Sequence, residues 1–247
     1  MNLFLEALAW IFAPEQWSGA ASIGTAVGVH LAYTAVSVLI AALIAVPLGW
    51  LIGHTGRGRE IAVVISGAAR AVPSFGLLIL LVLLLGVLNR PEAGVVTFVL
   101  LAIPSILAGA YAGVEAIDRA VLDSGRAMGM TEWQVLWRIE VPLGMPLLVA
   151  GLRSATLQVV ATVTIAAYVA LGGLGQYIIA GIPLRRYDMV LGGALLIIAL
   201  ALLLDLAFAL LQRAAVPRGL RAGRAARDTR RATTAAPRPT DRTPVPS

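Results

Sequence analysis

Residues 123–142 read DSGRAMGMTEWQVLWRIEVP, a charge-bearing amphipathic island set between segments whose composition belongs in a lipid bilayer. Thr131 followed by Gln134 forms a capping box, and Met130 and Val135 stand at the positions of a hydrophobic staple, so a helix is expected to start at Thr131. Gly129, just ahead, sits where a left-handed cap would close a preceding helix, a conformation glycine adopts without steric cost. That preceding helix is expected over 115–126, with Ile117, Val121 and Leu122 apolar and Asp118, Arg119, Asp123 and Arg126 polar. The second helix presents Trp133, Leu136 and Trp137 and is expected to end near Arg138, with Pro142 and Pro146 restarting the chain as a membrane helix. A helix–glycine turn–helix of this kind suits docking in a partner's groove. Lying flat on the bilayer is the other use of such helices.

The flanking sequence sets the class. Of 247 residues, 59% are hydrophobic and 13% charged, with mean hydropathy +0.89, which places the chain among polytopic membrane proteins. About 20 apolar residues cross a bilayer as helix, and five runs qualify, at 29–52, 67–88, 94–114, 147–171 and 189–211. Pro47, Pro73 and Pro104 lie inside three of them, as membrane helices tolerate. The expected fold is an all-α polytopic membrane protein of about five transmembrane helices, with the two-helix loop at 115–142 inside a transmembrane domain at 23–213. Residues 1–22 contain Glu6 and no basic stretch, so they read as a retained interfacial lead-in rather than a signal peptide. Residues 214–247 are rich in Arg, Pro, Ala and Thr and are expected to be a disordered tail.

Several function classes drop out. With no cysteine there is no thiolate chemistry, and His30 and His54 alone do not make a metal site. No catalytic, cofactor or metal residues are assigned, because no paired-carboxylate, His-rich or nucleophile constellation exists. Every basic residue is Arg, nine of them from Arg213 onward, and their distribution gives no reason to expect nucleic acid. Arg placement also sets orientation. With the N-terminus outside, Arg57, Arg59, Arg119, Arg126, Arg138 and the tail are cytoplasmic, leaving only Arg90, Arg185 and Arg186 outside. Arg70, Arg153 and Asp205 fall within or near spans, where interfacial anchoring or interhelical pairing is the expected role.

The island resembles the EAA loop of ABC importer permeases, whose pattern is EAA, three residues, Gly, nine residues, Ile, one residue, Leu-Pro. Gly129, Ile139 and Pro142 match at the right spacings. Asp123, Ser124 and Gly125 take the EAA positions and Val141 replaces Leu. The literal Glu115-Ala116 pair lies at the wrong distance from Gly129. Two further strings, ARAVPSFGLL at 69–78 and MPLLVAGLRSATLQVV with TIAAYVALGGLGQYIIAGI within 145–182, are similar to permeases for glycine betaine, choline, carnitine or proline betaine. The similarity covers about 27–212 and implies a type I importer permease in a prokaryotic cell membrane. It also implies separate ABC ATPase subunits, a second permease copy or a sister permease, and an extracytoplasmic solute-binding protein. The chain has no GxxxxGK[ST] loop, so energy must arrive through a contact. Asp123, Gly125, Gly129, Thr131, Trp133, Ile139 and Pro142 are the expected ATPase-coupling residues.

The fourth run carries Ser154, Thr156, Gln158, Thr162, Thr164 and Tyr168, one face of which is expected to line a route for a zwitterion. Bonding between helices and to the backbone is the competing use of those hydroxyls, and Tyr168 offers one cation–π face. Gly172, Gly173 and Gly175 are expected to form a gate or a connecting turn. A methionine or other amino-acid permease is the nearest alternative. An ion-coupled secondary transporter, which lacks the expected repeats here, and a lipid-binding scaffold lie further off.

Overall fold

The computed structural model describes residues 2–19 and 21–215, less the side chains of Ala69 and Arg70. Of the tail expected at 214–247, residues 216–247 lie outside the described residues, as does the expected anchoring or pairing of the Arg70 side chain. Those described form ten α-helices, with short 3-10 and π turns between them and no strand.

The chain opens with α1 (Leu3–Phe12), whose first turn is capped by Asn2 accepting from the Phe4 amide. The first long apolar run becomes α2 (Ile23–Thr55), capped by Ser22 and ended by Gly56 in the left-handed region. The second run does not form one span. It divides into α3 (Arg59–Ala71) and α4 (Ser74–Leu85). Pro73 forces the break: its ring drives Val72 to an extended conformation (ψ 125°), from which the helix cannot continue. Hydropathy alone merges the two, because both halves are apolar. Next come α5 (Arg90–Glu115), α6 (Arg119–Ala127), α7 (Glu132–Val135), α8 (Val141–Ala166), α9 (Gly175–Gly181) and α10 (Tyr187–Ala215). Four helical stretches are long and apolar enough to cross a membrane: Ile23–Thr55, Val87–Glu115, Glu132–Val169 and Tyr187–Ala215.

The central helix α5 is flanked by α2 on one side and α8 on the other. In lipid no hydrophobic force holds helices together, so close van der Waals contact between small residues does that work. On α2 the stripe Ala41, Ala45, Gly49, Gly53 repeats every fourth residue, and Gly49 and Gly53 lie against Ala110 and Val114. On the other side Gly109 and Gly113 meet Gly151 and Gly144 backbone to backbone. Phe98, Leu78, Ile106, Val159 and Val163 fill the space between these helices. A second cluster joins the first and last helices. Trp10 fits against Gly192 of α10 and meets Tyr177 edge-on at 5.1 Å, beside Ile11, Ile23 and Leu174.

Arg153 on α8 grips Asp205 on α10 with two hydrogen bonds of 2.6 Å. This is the interhelical pairing expected of intramembrane charges. Asp205→Ala is expected to strand the guanidinium and lower the thermal midpoint in detergent. Arg153→Leu/Asp205→Leu should recover most of that loss, because no charge is left unpaired. A double variant less stable than Asp205→Ala would contradict the pairing.

Candidate functional site

The island folds as a knob at one end of the helix bundle. Its first helix is shorter than the expected 115–126. Glu115 closes α5, and α6 starts afresh at Arg119 because the Asp118 carboxylate accepts the Ala120 amide at 3.0 Å. At the far end Gly129 has φ +83°. Its amide donates to the Arg126 carbonyl at 2.9 Å and that of Met130 to Gly125 at 3.2 Å. Together these bonds form the Schellman closure. The capping box is complete: the Gln134 amide donates to Thr131 Oγ1, and the Thr131 amide to Gln134 Oε1.

Gly125 is where the two helices touch. A Cβ there would lie 2.7 Å from Ile139 Cδ1, with Met130 and Val135 next nearest. Four of the expected residues therefore act locally. Gly125 and Ile139 pack the knob, Gly129 turns it, and Thr131 starts its second helix. Asp123 holds Arg126 at 3.3 Å, and Arg126 reaches Glu132 with bonds of 2.8 and 3.0 Å. The hydrogen bonds to Glu132, before the weaker one to Asp123, raise the proton affinity of this guanidinium. Met128 and Trp133 point outward, 78% and 67% exposed.

The second helix does not end at Arg138. It passes through a π turn, Leu136–Glu140, straight into α8, the Val141 amide donating to the Leu136 carbonyl. Pro142 has no amide to donate and its ring crowds the carbonyl four residues back. The widened turn absorbs both defects, so Pro142 lies in the first turn of α8 without breaking the helix.

Residues that local spacing cannot single out hold the knob to the bundle. Glu140 is 2% exposed, and His54 Nδ1, in the last turn of α2, lies 2.7 Å from its Oε2. His54 Nε2 is 3.7 Å from Glu132. One turn earlier Trp50 meets Trp137 edge-on at 5.6 Å, and Trp137 meets Trp133 at 5.5 Å. A cleft of about 580 Å3 opens beside them, lined by His54, Arg59, Glu115, Arg119, Asp123 and Arg126 among others.

The expected route residues, on α8 and the 3-10 turn after it, divide. Thr156, Thr162 and Thr164 donate to carbonyls four residues back on their own helix, and Thr156 and Thr162 are buried. Ser154, Ala161, Ile165 and, in the 3-10 turn that follows α8, Tyr168 share an exposed face, with half-buried Gln158 among them. Gln158 accepts from Ser105 of α5 at 3.4 Å. Tyr168 lies 5.5 Å from Phe75 of α4, ring to ring. Phe75 is a second aromatic, within the ARAVPSFGLL string, and no local spacing in the sequence pairs it with Tyr168. Beyond α8, Gly172 and Gly173 both have positive φ and so form a true turn. Gly175 leaves no room for a side chain against the Thr164 carbonyl.

A small-residue helix bundle carrying a folded two-helix knob and an interrupted second span is the type I ABC importer permease fold. The chain belongs to the family of binding-protein-dependent transport system inner membrane components, whose pattern it matches over residues 45–218. It is a transport subunit and not an enzyme. It is 31% identical over 193 residues to the glycine betaine/carnitine/choline transport system permease protein OpuCB of Bacillus subtilis, covering 78% of this chain and 88% of that one. With the carnitine transport permease protein OpuCB of Listeria monocytogenes it shares 32% over 195 residues, 79% and 88% of the two chains. Among solved structures, an inward-facing form of the MetNI methionine ABC transporter superposes with TM-score 0.68 at 21% identity, covering 83% of this chain and 99% of that one.

Proposed function

We propose that this permease imports compatible solutes of the betaine, choline and carnitine type and receives its driving force at the knob. For the solute class, the supporting observation is the identity of about 31% across nearly four-fifths of the chain to permeases of such systems. The methionine transporter's likeness, at 21% identity, carries the fold and no substrate.

In this reading the N-terminus lies outside and the knob in the cytoplasm, where ABC ATPase subunits seat Met128 and Trp133 in a surface groove. Alternating access then follows as rigid-body rocking. Two permease chains, identical or sister, enclose the path, and an extracytoplasmic binding protein delivers solute. The face bearing Ser154, Gln158 and Tyr168, with Phe75 beside it, presents dipoles and two aromatic rings without fixed charge, which suits passage of a quaternary ammonium zwitterion. Gly172, Gly173 and Gly175 act as the outer turn that bounds this path.

The test is reconstitution with the cognate ATPase and binding protein in proteoliposomes. ATP-dependent uptake of labelled glycine betaine, choline or carnitine is expected, with methionine failing to compete. Uptake of methionine alone would overturn the solute assignment. Trp133→Asp should release the ATPase on co-purification without changing the amount of permease in the membrane. Retention of the ATPase at the parent ratio would overturn the docking assignment.

A further inference from the structure

Both histidines of the chain lie on α2, near opposite ends. They are 24 residues apart, about 36 Å along a helix and so about the thickness of a bilayer. His54 meets the knob through buried Glu140 at 2.7 Å. His30, fully buried, meets the glycine turn: the Leu174 amide donates to its Nδ1 at 3.3 Å, and its Nε2 lies 3.1 Å from the Val160 carbonyl on α8. Gly173 rests against the same ring, a Cβ there lying 3.3 Å from Nδ1. One unbroken helix thus carries a polar fastener at each end, one on the knob and one on the turn at 172–175.

We propose that α2 is the rod by which knob displacement reaches the outer glycine turn, with His54 and His30 as positioning residues for coupled transport. Three observations carry this. A buried carboxylate is tolerated only with a partner, so the end of α2 must follow Glu140 wherever the knob carries it. Trp133, exposed on the knob, passes contact through Trp137 to Trp50, a second tie to the same end of α2. At the other end His30 has both ring nitrogens engaged, one with the turn and one with α8. Other charged groups near His54 are Glu132, and across the cleft Arg59, Glu115, Arg119, Asp123 and Arg126. Among these, Arg126 is engaged with Glu132 and Asp123, and Arg59 with Glu115. Glu132 meets the other ring nitrogen at 3.7 Å, a longer contact than the 2.7 Å to Glu140.

The inference rests on the docking reading of the knob, and its test separates the two. The complete transporter is reconstituted with His54→Ala/Glu140→Ala, which leaves no orphaned carboxylate, and separately with His30→Asn. Because the chain has no cysteine, Gln176→Cys beside the turn reports its exposure to an impermeant maleimide before and after nucleotide trapping. ATPase co-purification and hydrolysis are expected to stay near the parent level. Uptake per ATP should fall about tenfold, and the nucleotide-dependent change in labelling should vanish. Glu140→Gln, which keeps a hydrogen-bonding partner for His54, should restore most of the uptake. An unchanged labelling response in His54→Ala/Glu140→Ala would overturn the rod even if His30→Asn fails to fold. Loss of the ATPase from that variant would overturn it too, reducing His54 to a support of docking. Retention of the ATPase by Trp133→Asp would overturn the docking reading, whereas the rod is judged by the labelling response of His54→Ala/Glu140→Ala.

Discussion

Gly129→Asp is expected to reduce solute uptake to background while the permease inserts, folds and keeps its thermal midpoint within a few degrees. The argument turns on what surrounds that residue. Its φ of +83° disfavours any side chain, but a Cβ there meets nothing within 4 Å. Left-handed backbone costs a non-glycine residue about 1–2 kcal/mol, and aspartate is among the types that bear it best. Local strain alone is therefore too small to stop transport. In the proposed docking, the open space around Gly129 leaves room for another chain, and a carboxylate placed there would enter the ATPase groove. The measurements are ATP-dependent uptake in proteoliposomes alongside a melting curve in detergent. Normal uptake would remove the coupling role. A collapsed melting curve would mean that the turn, not the partner, was disturbed.

The second large effect is structural. Gly113→Val is expected to abolish recovery of folded permease. A Cβ at 113 would stand 2.6 Å from the Gly144 carbonyl oxygen and 3.0 Å from its Cα, both backbone atoms that no rotamer change can move. Overpacking a well-packed interior costs about 1–3 kcal/mol when side chains can adjust. Here α8 itself must withdraw, and the contact of Gly109 with Gly151 is lost with it. Gly67→Val is the control, because nothing lies within 4 Å of a Cβ there. Size-exclusion profiles should show an aggregated Gly113→Val beside a monodisperse Gly67→Val. Equal profiles would refute the idea that the α5–α8 glycine contact limits stability.

How much of this was legible in advance depended on the range of each signal. The capping box at Thr131 and Gln134 and the cap at Gly129 are written within a few residues, and the structure realises each of them. The start of α6 at Asp118 was also local, yet apolar periodicity across 115–126 concealed it. The break at Pro73 was visible as a proline but not as a consequence, since membrane helices often continue through one. Pro104 lies inside α5 without ending it. The π turn has no local signal of its own, because it stems from Pro142 acting backward on a helix that is already capped at its start. Glu140 read as one more charge in the island, and only its pairing with His54, 86 residues earlier, gives it a role. Of the polar residues in this run, composition does not separate the threonines that bond their own helix from Ser154, Gln158 and Tyr168. Burial sets Thr156 and Thr162 apart from exposed Ser154 and Tyr168, and burial depends on which neighbours arrive.

The seat of Trp10 against Gly192 has a bearing on how the protein is made. α1 leaves the ribosome ahead of α10, the last helix described, yet the notch that receives its tryptophan belongs to α10. The indole of Trp10 therefore lacks that seat while more than 180 further residues are synthesised. Docking of α1 comes late in assembly, and the burial of Trp10 marks a chain whose final span is in place.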